Sequence, residues 1–335
     1  MIQVSSVILP TGQAMPMLGF GTWNAAGEEL EAALDTALEI GYRLIDTATV
    51  YGNERIIGNV LKKWFDSGRI ERSDLFIVTK VPPSGNRPGD IEKWLERSLS
   101  NLQLSYLDLY LIHTPFAYGD VEGELHPFNE KGEIIIDPDT DHLAIWSVME
   151  KQVMEGRTKA IGLSNFNVAQ IERILNHATL PVSNLQVEMH VYLQQSELLK
   201  FCQDHDISVT AYSPLGSRGF VENVIFKGDA VPKSLEDLTV QEIARKYEKS
   251  PAQILLKHII QKGVIAIPKS TNSSRIKENF DLFDWELEAE DVEKLNDLDK
   301  GESGRICDFK FFKGCFHITY FHLNNFGLFP IFSFV

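Results

Sequence analysis

Strand-like and helix-like stretches alternate along this chain, and the alternation runs eight times. Apolar strand-like runs end at "MLGFGTW" (17–23), at Leu44–Ile45, and in "LFIVTK" (75–80) and "LDLYLIH" (107–113). The remaining four lie in "TKAIGLSNF" (158–166), "VSNLQVE" (182–188), "ISVTAYSP" (207–214) and "GVIAIPKS" (263–270). Helical periodicity fills the gaps at Glu28–Ile40, Asn53–Trp64, Asp90–Leu102, Val168–His177 and Ser196–Asp204. Ser250-Pro-Ala-Gln253 reads as an N-cap with proline at the first helical position and a capping-box glutamine, and Gly263 as the stop of that helix. Eight strands joined through helices favour a closed (β/α)8 barrel over an open doubly wound sheet. The N-terminal stretch reads as a hairpin, Val7–Leu9 and Met15–Leu18 about a turn at Pro10-Thr11-Gly12. With no basic leading region and only a short apolar run, it does not read as a signal peptide.

The expected organisation is one barrel domain over residues 1–335 with long loops at the C-terminal face. Phe116–His142, Ser217–Leu238 and the segment from Gly301 onward do not fit the alternation. Loops of that length in a compact domain tend to carry function. From Cys315 to Val335 there is no Asp, Glu, Lys or Arg, but His317, His322, Asn324, Asn325 and Pro330 interrupt the run. It therefore reads as a flap or a disordered tail rather than a membrane anchor. The formal net charge of −15 disfavours nucleic acid and anionic lipid as partners. Three cysteines without metal-site or CxxC spacing read as reduced thiols of a cytoplasmic protein, with no metal site.

Polar residues stand where the strands end: Asp46, Lys80, His113, Ser164 with Asn165, Gln186, and Tyr212 with Ser213. In a parallel barrel such positions converge on one mouth. Each has a plain alternative, since an aspartate there also caps helices and a lysine or histidine there is often merely hydrogen-bonded. Taken together they suggest acid catalysis. A tyrosine, Tyr51, follows Asp46 in a glycine-bearing turn; a nearby Lys80 ammonium is expected to lower the phenol's pKa, Asp46 to hold Lys80, and His113 to orient a carbonyl oxygen. Reduction also needs a hydride donor. "GFGTWN" (19–24) lacks the third glycine of the dinucleotide fingerprint, which disfavours a Rossmann site. "IPKSTNSSRIKEN" (267–279) offers Lys269, Ser270–Ser274 at a helix start, and Arg275, a set suited to a phosphate but equally to a capped surface helix. A 2′-phosphate, and so NADP(H), is the natural anion. Tyr212 is either a stacking surface for nicotinamide or a rim aromatic, with Ser164, Asn165 and Gln186 as candidate carboxamide partners.

Three segments together resemble the aldo-keto reductase family: "GYRLIDTATVYGNERIIG" (41–58), "TKAIGLSNF" and "IPKSTNSSRIKENFDL". The resemblance covers about Val7 to Gly314 and is nearest to insect-type members, some of which reduce 3-dehydroecdysteroids. It implies a (β/α)8 barrel, NADPH as hydride donor and a catalytic tetrad of Asp46, Tyr51, Lys80 and His113. It further implies cofactor contacts from Gly21, Thr22, Trp23, Asp46, Ser164, Asn165, Gln186, Tyr212, Ser213, Leu215 and Ser217. At the adenosine phosphate it implies Ile267, Lys269, Ser270, Thr271, Arg275, Glu278 and Asn279. The implied substrate wall is Trp23, Val50, Tyr51, His113, Thr114, Phe116, Phe220, Cys307 and Phe309, mostly apolar and suited to a hydrophobic carbonyl. Two departures stand out. Many relatives place tryptophan after the catalytic histidine, where this chain has Thr114, which is expected to widen the pocket for a bulky ketone, steroids included. The segment 301–335, expected to form the substrate loop, ends in the uncharged tail. Carbonyl reduction by a monomer is the leading expectation. A non-catalytic NADP-binding relative and a barrel hydrolase using Asp46 and Glu54 are the competing ones.

Overall fold

The computed structural model of the chain describes residues 4–121, 124–137, 139–217 and 233–307. Strands β1 (Ser6–Ile8) and β2 (Ala14–Pro16) form the antiparallel hairpin, with Val7 opposite Met15. The hairpin buries Leu9 and Met15, and its Gln13 amide reaches the Lys159 carbonyl, so it sits at the N-terminal end of the barrel. Eight parallel strands follow: β3 (Gly19–Gly21), β4 (Leu44–Asp46), β5 (Phe76–Val81), β6 (Leu109–Ile112), β9 (Ile161–Ser164), β10 (Asn184–Glu188), β11 (Ser208–Tyr212) and β12 (Ile265–Ala266). They are hydrogen-bonded in that spatial order, and a parallel bridge from Leu18 to Ala266 joins the last strand to the first. The sheet is thus a closed (β/α)8 barrel, as the alternation predicts. The strands are shorter than the apolar runs in sequence because each run includes residues that leave the ladder at the rim.

The helices around the barrel follow from amphipathic spacing. In Glu54–Asp66, Ile57, Val60, Leu61 and Trp64 face inward while Lys62 and Lys63 stay in water. The capping box of Pro251–Gln261 forms as read: the Ser250 hydroxyl accepts from the Gln253 amide N–H, and the Gln253 side chain accepts from the Ser250 N–H. Four helices complete the layer beyond those listed from periodicity: His142–Met154, Leu238–Tyr247, Ser273–Phe280 and Ala289–Asn296. The long insertion after β6 is not wholly irregular. It contains a short hairpin, β7 (Ala117–Tyr118) against β8 (Ile136–Asp137), clamped by Arg87 on the Asp137 carboxylate. No helix among the described residues is long and apolar enough to cross a membrane. The expectations for Phe220, Phe309 and the tail 315–335 fall outside the described residues.

Candidate active site

Asp46 is the last residue of β4, and Lys80 lies near the end of the neighbouring β5. Side chains alternate across a strand, so Lys80 points into the barrel while Thr79 points outward. Lys80 Nζ donates to Asp46 Oδ1 at 2.8 Å and to the Thr47 carbonyl at 2.8 Å, and Asp46 Oδ2 accepts from Gln186 Nε2 at 2.7 Å. Burial lowers the Lys80 pKa and Asp46 opposes that shift. Thr79 donates to Glu54 Oε1 at 2.7 Å on the outer side of the wall. Glu54 is therefore not set against Asp46 at the mouth, which removes the paired-acid geometry of the hydrolase reading.

The turn Thr49–Tyr51 hangs from β5 through the Thr49 hydroxyl, which donates to the Lys80 carbonyl at 3.1 Å. Gly52 closes it at φ 66°, a left-handed conformation that glycine adopts freely. Tyr51 thereby comes over the Asp46–Lys80 pair, with Lys80 Nζ 5.2 Å from its ring centre, and meets the His113 ring edge-on at 5.8 Å. Burial, then Asp46, then Cys307, hold the Tyr51 hydroxyl well above the ordinary phenol range. The expectation that Lys80 lowers it is thus not met here: the phenol sits in a desolvated place, and the Asp46 carboxylate adds to the rise. Burial, and secondarily Lys80, hold His113 well below the ordinary imidazole range. Its ring is neutral at pH 7, and its buried Nδ1 has no partner among the described residues. With no acceptor at Nδ1 among those residues, the single ring proton belongs on Nε2.

These groups stand at the floor of a cavity of about 540 Å³ that runs across the C-terminal mouth. Every expected cofactor residue lines it: Gly21, Thr22, Trp23, Asp46, Ser164, Asn165, Gln186, Tyr212, Ser213, Leu215, Ser217, Ile267, Lys269, Ser270, Thr271, Arg275, Glu278 and Asn279. Tyr212 donates to Asn165 Oδ1 at 2.8 Å, and Asn165 Nδ2 donates to the His113 carbonyl at 3.0 Å, so the rim aromatic is coupled to the floor. Asn24, Asn165, Ser213 and Ser217, all lining the cavity, adopt positive φ (56°, 65°, 52° and 37°), a conformation uncommon outside glycine that clusters at functional sites. Gly21 has a different reason: a side-chain carbon there would meet the Ile267 carbonyl at 2.7 Å, closing the approach of β3 to the 267–279 segment. In that segment the Asn272 side chain caps the helix Ser273–Phe280 by accepting from the Arg275 N–H. Burial lowers the pKa of Lys269, with Glu29 opposing and Arg275 adding to the shift. Two cations at one end of a cavity, beside a helix start, fit a phosphate group.

Of the expected substrate wall, Trp23, Val50, Tyr51, His113, Thr114 and Cys307 line the cavity. Phe116 does not. Asn86 Nδ2 holds the carbonyls of both Thr114 and Phe116, the Thr114 hydroxyl donates to the same Phe116 carbonyl at 2.8 Å, and the Phe116 ring is buried, its centre 5.9 Å from that of Tyr118. The aromatic wall is Tyr118 with His126, rings 6.0 Å apart, and Pro83 stands beside them. Sequence reasoning missed these three. The length of the insertion marked the region, but the fold-back that turns Tyr118 inward depends on pairing between β7 and β8. The described residues contain no group of His, Cys, Asp and Glu able to hold a metal ion.

A parallel barrel with tyrosine, lysine, aspartate and histidine gathered under a long mouth cleft defines a carbonyl-chemistry barrel. Comparison with known proteins gives the family. The model of the aldo/keto reductase family matches residues 17–300, and the chain belongs to that family. It is 44% identical over 300 residues to aldo-keto reductase family 1 member A1-A of Danio rerio, covering 89% of this chain and 90% of that protein. To the human aldo-keto reductase family 1 member A1 it is 43% identical over 297 residues, covering 88% and 90%. The aldose reductase of Schistosoma japonicum superposes with a TM-score of 0.84 at 39% identity, covering 92% of this chain and 96% of that one. As a family member the chain is an oxidoreductase acting on carbonyl compounds.

Proposed function

We propose that this chain is an NADPH-dependent reductase of hydrophobic aldehydes and ketones, bulky steroid ketones such as 3-dehydroecdysteroids included. The observation that carries the reading is the junction of two features in one cavity. A protonated tyrosine hydroxyl and a neutral imidazole meet over a buried Lys80–Asp46 pair, and the cleft above them runs to Lys269 and Arg275. Lys269, Ser270, Thr271 and Arg275 would hold the 2′-phosphate, Ser164, Asn165 and Gln186 the carboxamide, and Tyr212 the face of the ring. The dinucleotide, when bound, supplies a hydride to the carbonyl carbon. His113 Nε2–H orients the carbonyl oxygen, and Tyr51 gives that oxygen its proton as negative charge develops there. Lys80, held charged by Asp46, stabilises the phenolate left behind. The apolar and aromatic side chains Trp23, Val50, Pro83 and Tyr118 around the reacting end suit a hydrophobic substrate.

In this reading the chain is one barrel domain with residues 301–335 as its substrate loop, and it works as a cytoplasmic monomer. The relation to insect-type ecdysteroid reductases is part of the proposal, motivated by Thr114 in place of a tryptophan. The test is NADPH oxidation, followed by absorbance loss, with aromatic aldehydes and steroid ketones as substrates. Tyr51→Phe is expected to lower kcat by about 10²-fold or more with NADPH affinity retained. A folded wild type that binds NADPH and consumes none with any carbonyl would instead mark a binding protein. Steroid ketones turned over no better than small polar aldehydes would remove the steroid part.

A further inference from the structure

The end of β10 carries a second buried carboxylate that the chemistry above leaves unused. Glu188 is 0% exposed and pairs in register with Tyr212. Its Oε1 accepts from the Ile306 N–H at 2.7 Å and from His190 Nε2 at 2.9 Å, and its Oε2 accepts from the Cys307 N–H at 2.7 Å. A buried carboxylate is costly unless its lone pairs are filled. Here the two backbone donors come from a segment 118 and 119 residues further along the chain. That segment leaves the turn Gly301–Gly304, and Cys307 at its end lines the cavity. It also carries Arg305, bonded to Glu302 and lying in the field of Glu188. The turn is pressed close to the barrel: the Lys300 N–H donates to the Tyr192 carbonyl at 2.9 Å, and a side-chain carbon on Gly304 would meet that carbonyl oxygen at 2.1 Å.

We propose that Glu188 is a positioning residue that latches segment 301–307 onto the cavity mouth and so fixes Cys307 in the substrate wall. The latch rests on geometry alone; its effect on substrate binding rests on the reductase reading above. Two successive backbone N–H groups, each on its own oxygen, need a carboxylate. A glutamine accepts through one terminal atom only, and its NH2 group would face either the Cys307 N–H or the Ile306 N–H together with the imidazole N–H. Losing one hydrogen bond to a charged group corresponds to about tenfold or more in the opening equilibrium. Burial, with Glu188 second, pushes the Cys307 thiol well above the ordinary range, which makes it slow to alkylate while latched.

The experiment compares wild type, Glu188→Gln and Gly304→Ala, the last displacing the turn with Glu188 intact. Iodoacetamide labelling of Cys307 is followed by peptide mass mapping, alongside kcat, KM and NADPH affinity. In both variants Cys307 is expected to label about tenfold faster or more, with KM for a bulky aldehyde rising similarly and kcat within about twofold. Cys202, buried in the helix Ser196–Asp204 with its pKa pushed up to about 12, is the internal control and stays unlabelled. An unchanged Cys307 labelling rate in folded Glu188→Gln overturns the latch, whatever the activity. An unchanged rate in Gly304→Ala also overturns it, because faster labelling in Glu188→Gln alone reports only the loss of the carboxylate that raises the thiol. Faster labelling in Gly304→Ala supports the latch, and with unchanged KM it overturns the segment's part in substrate binding. Labelling needs no turnover, so failure of the reductase reading shows separately.

Discussion

Asp46→Asn is the substitution whose consequences the structure specifies best. Lys80 is 0% and Asp46 3% exposed, with Nζ and Oδ1 2.8 Å apart. At an effective dielectric of about 20, that separation gives roughly 6 kcal/mol of gross attraction, offset by the cost of desolvating both ions. Asparagine keeps the shape but not the charge, and its NH2 must face either the ammonium or the Gln186 amide, since both donate to Asp46 now. The stranded ammonium is expected to cost about 3–5 kcal/mol of stability at pH 7, the range for breaking one side of a buried pair. Burial already lowers the Lys80 pKa against the opposition of Asp46, and without Asp46 it falls further. Between that depressed value and the unfolded lysine value near 10, the unfolded chain binds the extra proton, so stability of the variant rises with pH across this window. Adding Lys80→Met removes the stranded charge and is expected to restore most of the loss, giving a large coupling in the double-mutant cycle. Urea denaturation followed by circular dichroism at pH 7 and pH 9 measures all three. A loss under about 1 kcal/mol at pH 7, or a variant that weakens as pH rises, would refute the reasoning.

Other outcomes follow from the same geometry. Arg275→Ala is expected to weaken NADPH binding about tenfold or more while leaving NADH nearly unchanged, read by fluorescence titration of both nucleotides; equal losses would place Arg275 away from the 2′-phosphate. Tyr118→Ala is expected to raise KM for aromatic aldehydes by about fivefold or more with NADPH affinity unchanged, because the ring lines the cavity that also holds Tyr51 and His113. His113, held well below the ordinary histidine range by burial, stays neutral across pH 6–8, so its titration should add no inflection to log kcat/KM there. The same depressed value means that the unfolded chain takes up this proton first on acidification, so His113 lowers stability as pH falls below about 6.5, and His113→Gln should flatten that limb.

The sequence by itself determined the barrel and the floor of the site. Strand length, helical spacing and glycine stops are local properties, and a strand that ends in Asp46 or runs through Lys80 delivers that side chain to the mouth of any parallel barrel. The positions proposed to hold the cofactor were legible as cavity-lining for the same reason, since they sit at strand ends or open the helix Ser273–Phe280. What the tertiary structure decided depends on atoms far apart in the chain. Tyr51 is a high-pKa phenol rather than a lowered one because burial desolvates it and the Asp46 carboxylate adds to the shift. Glu54, beside Asp46 in pattern, faces Thr79 on the other side of the wall. Tyr118 rather than Phe116 forms the aromatic wall because an insertion folds back and Asn86 ties its first turn. Glu188, at the end of β10, drew no attention in the sequence, because its two backbone donors come from a segment 118 and 119 residues further on. Local pattern fixes which groups reach the mouth; long-range packing fixes their charge, their partners and which of them face the substrate.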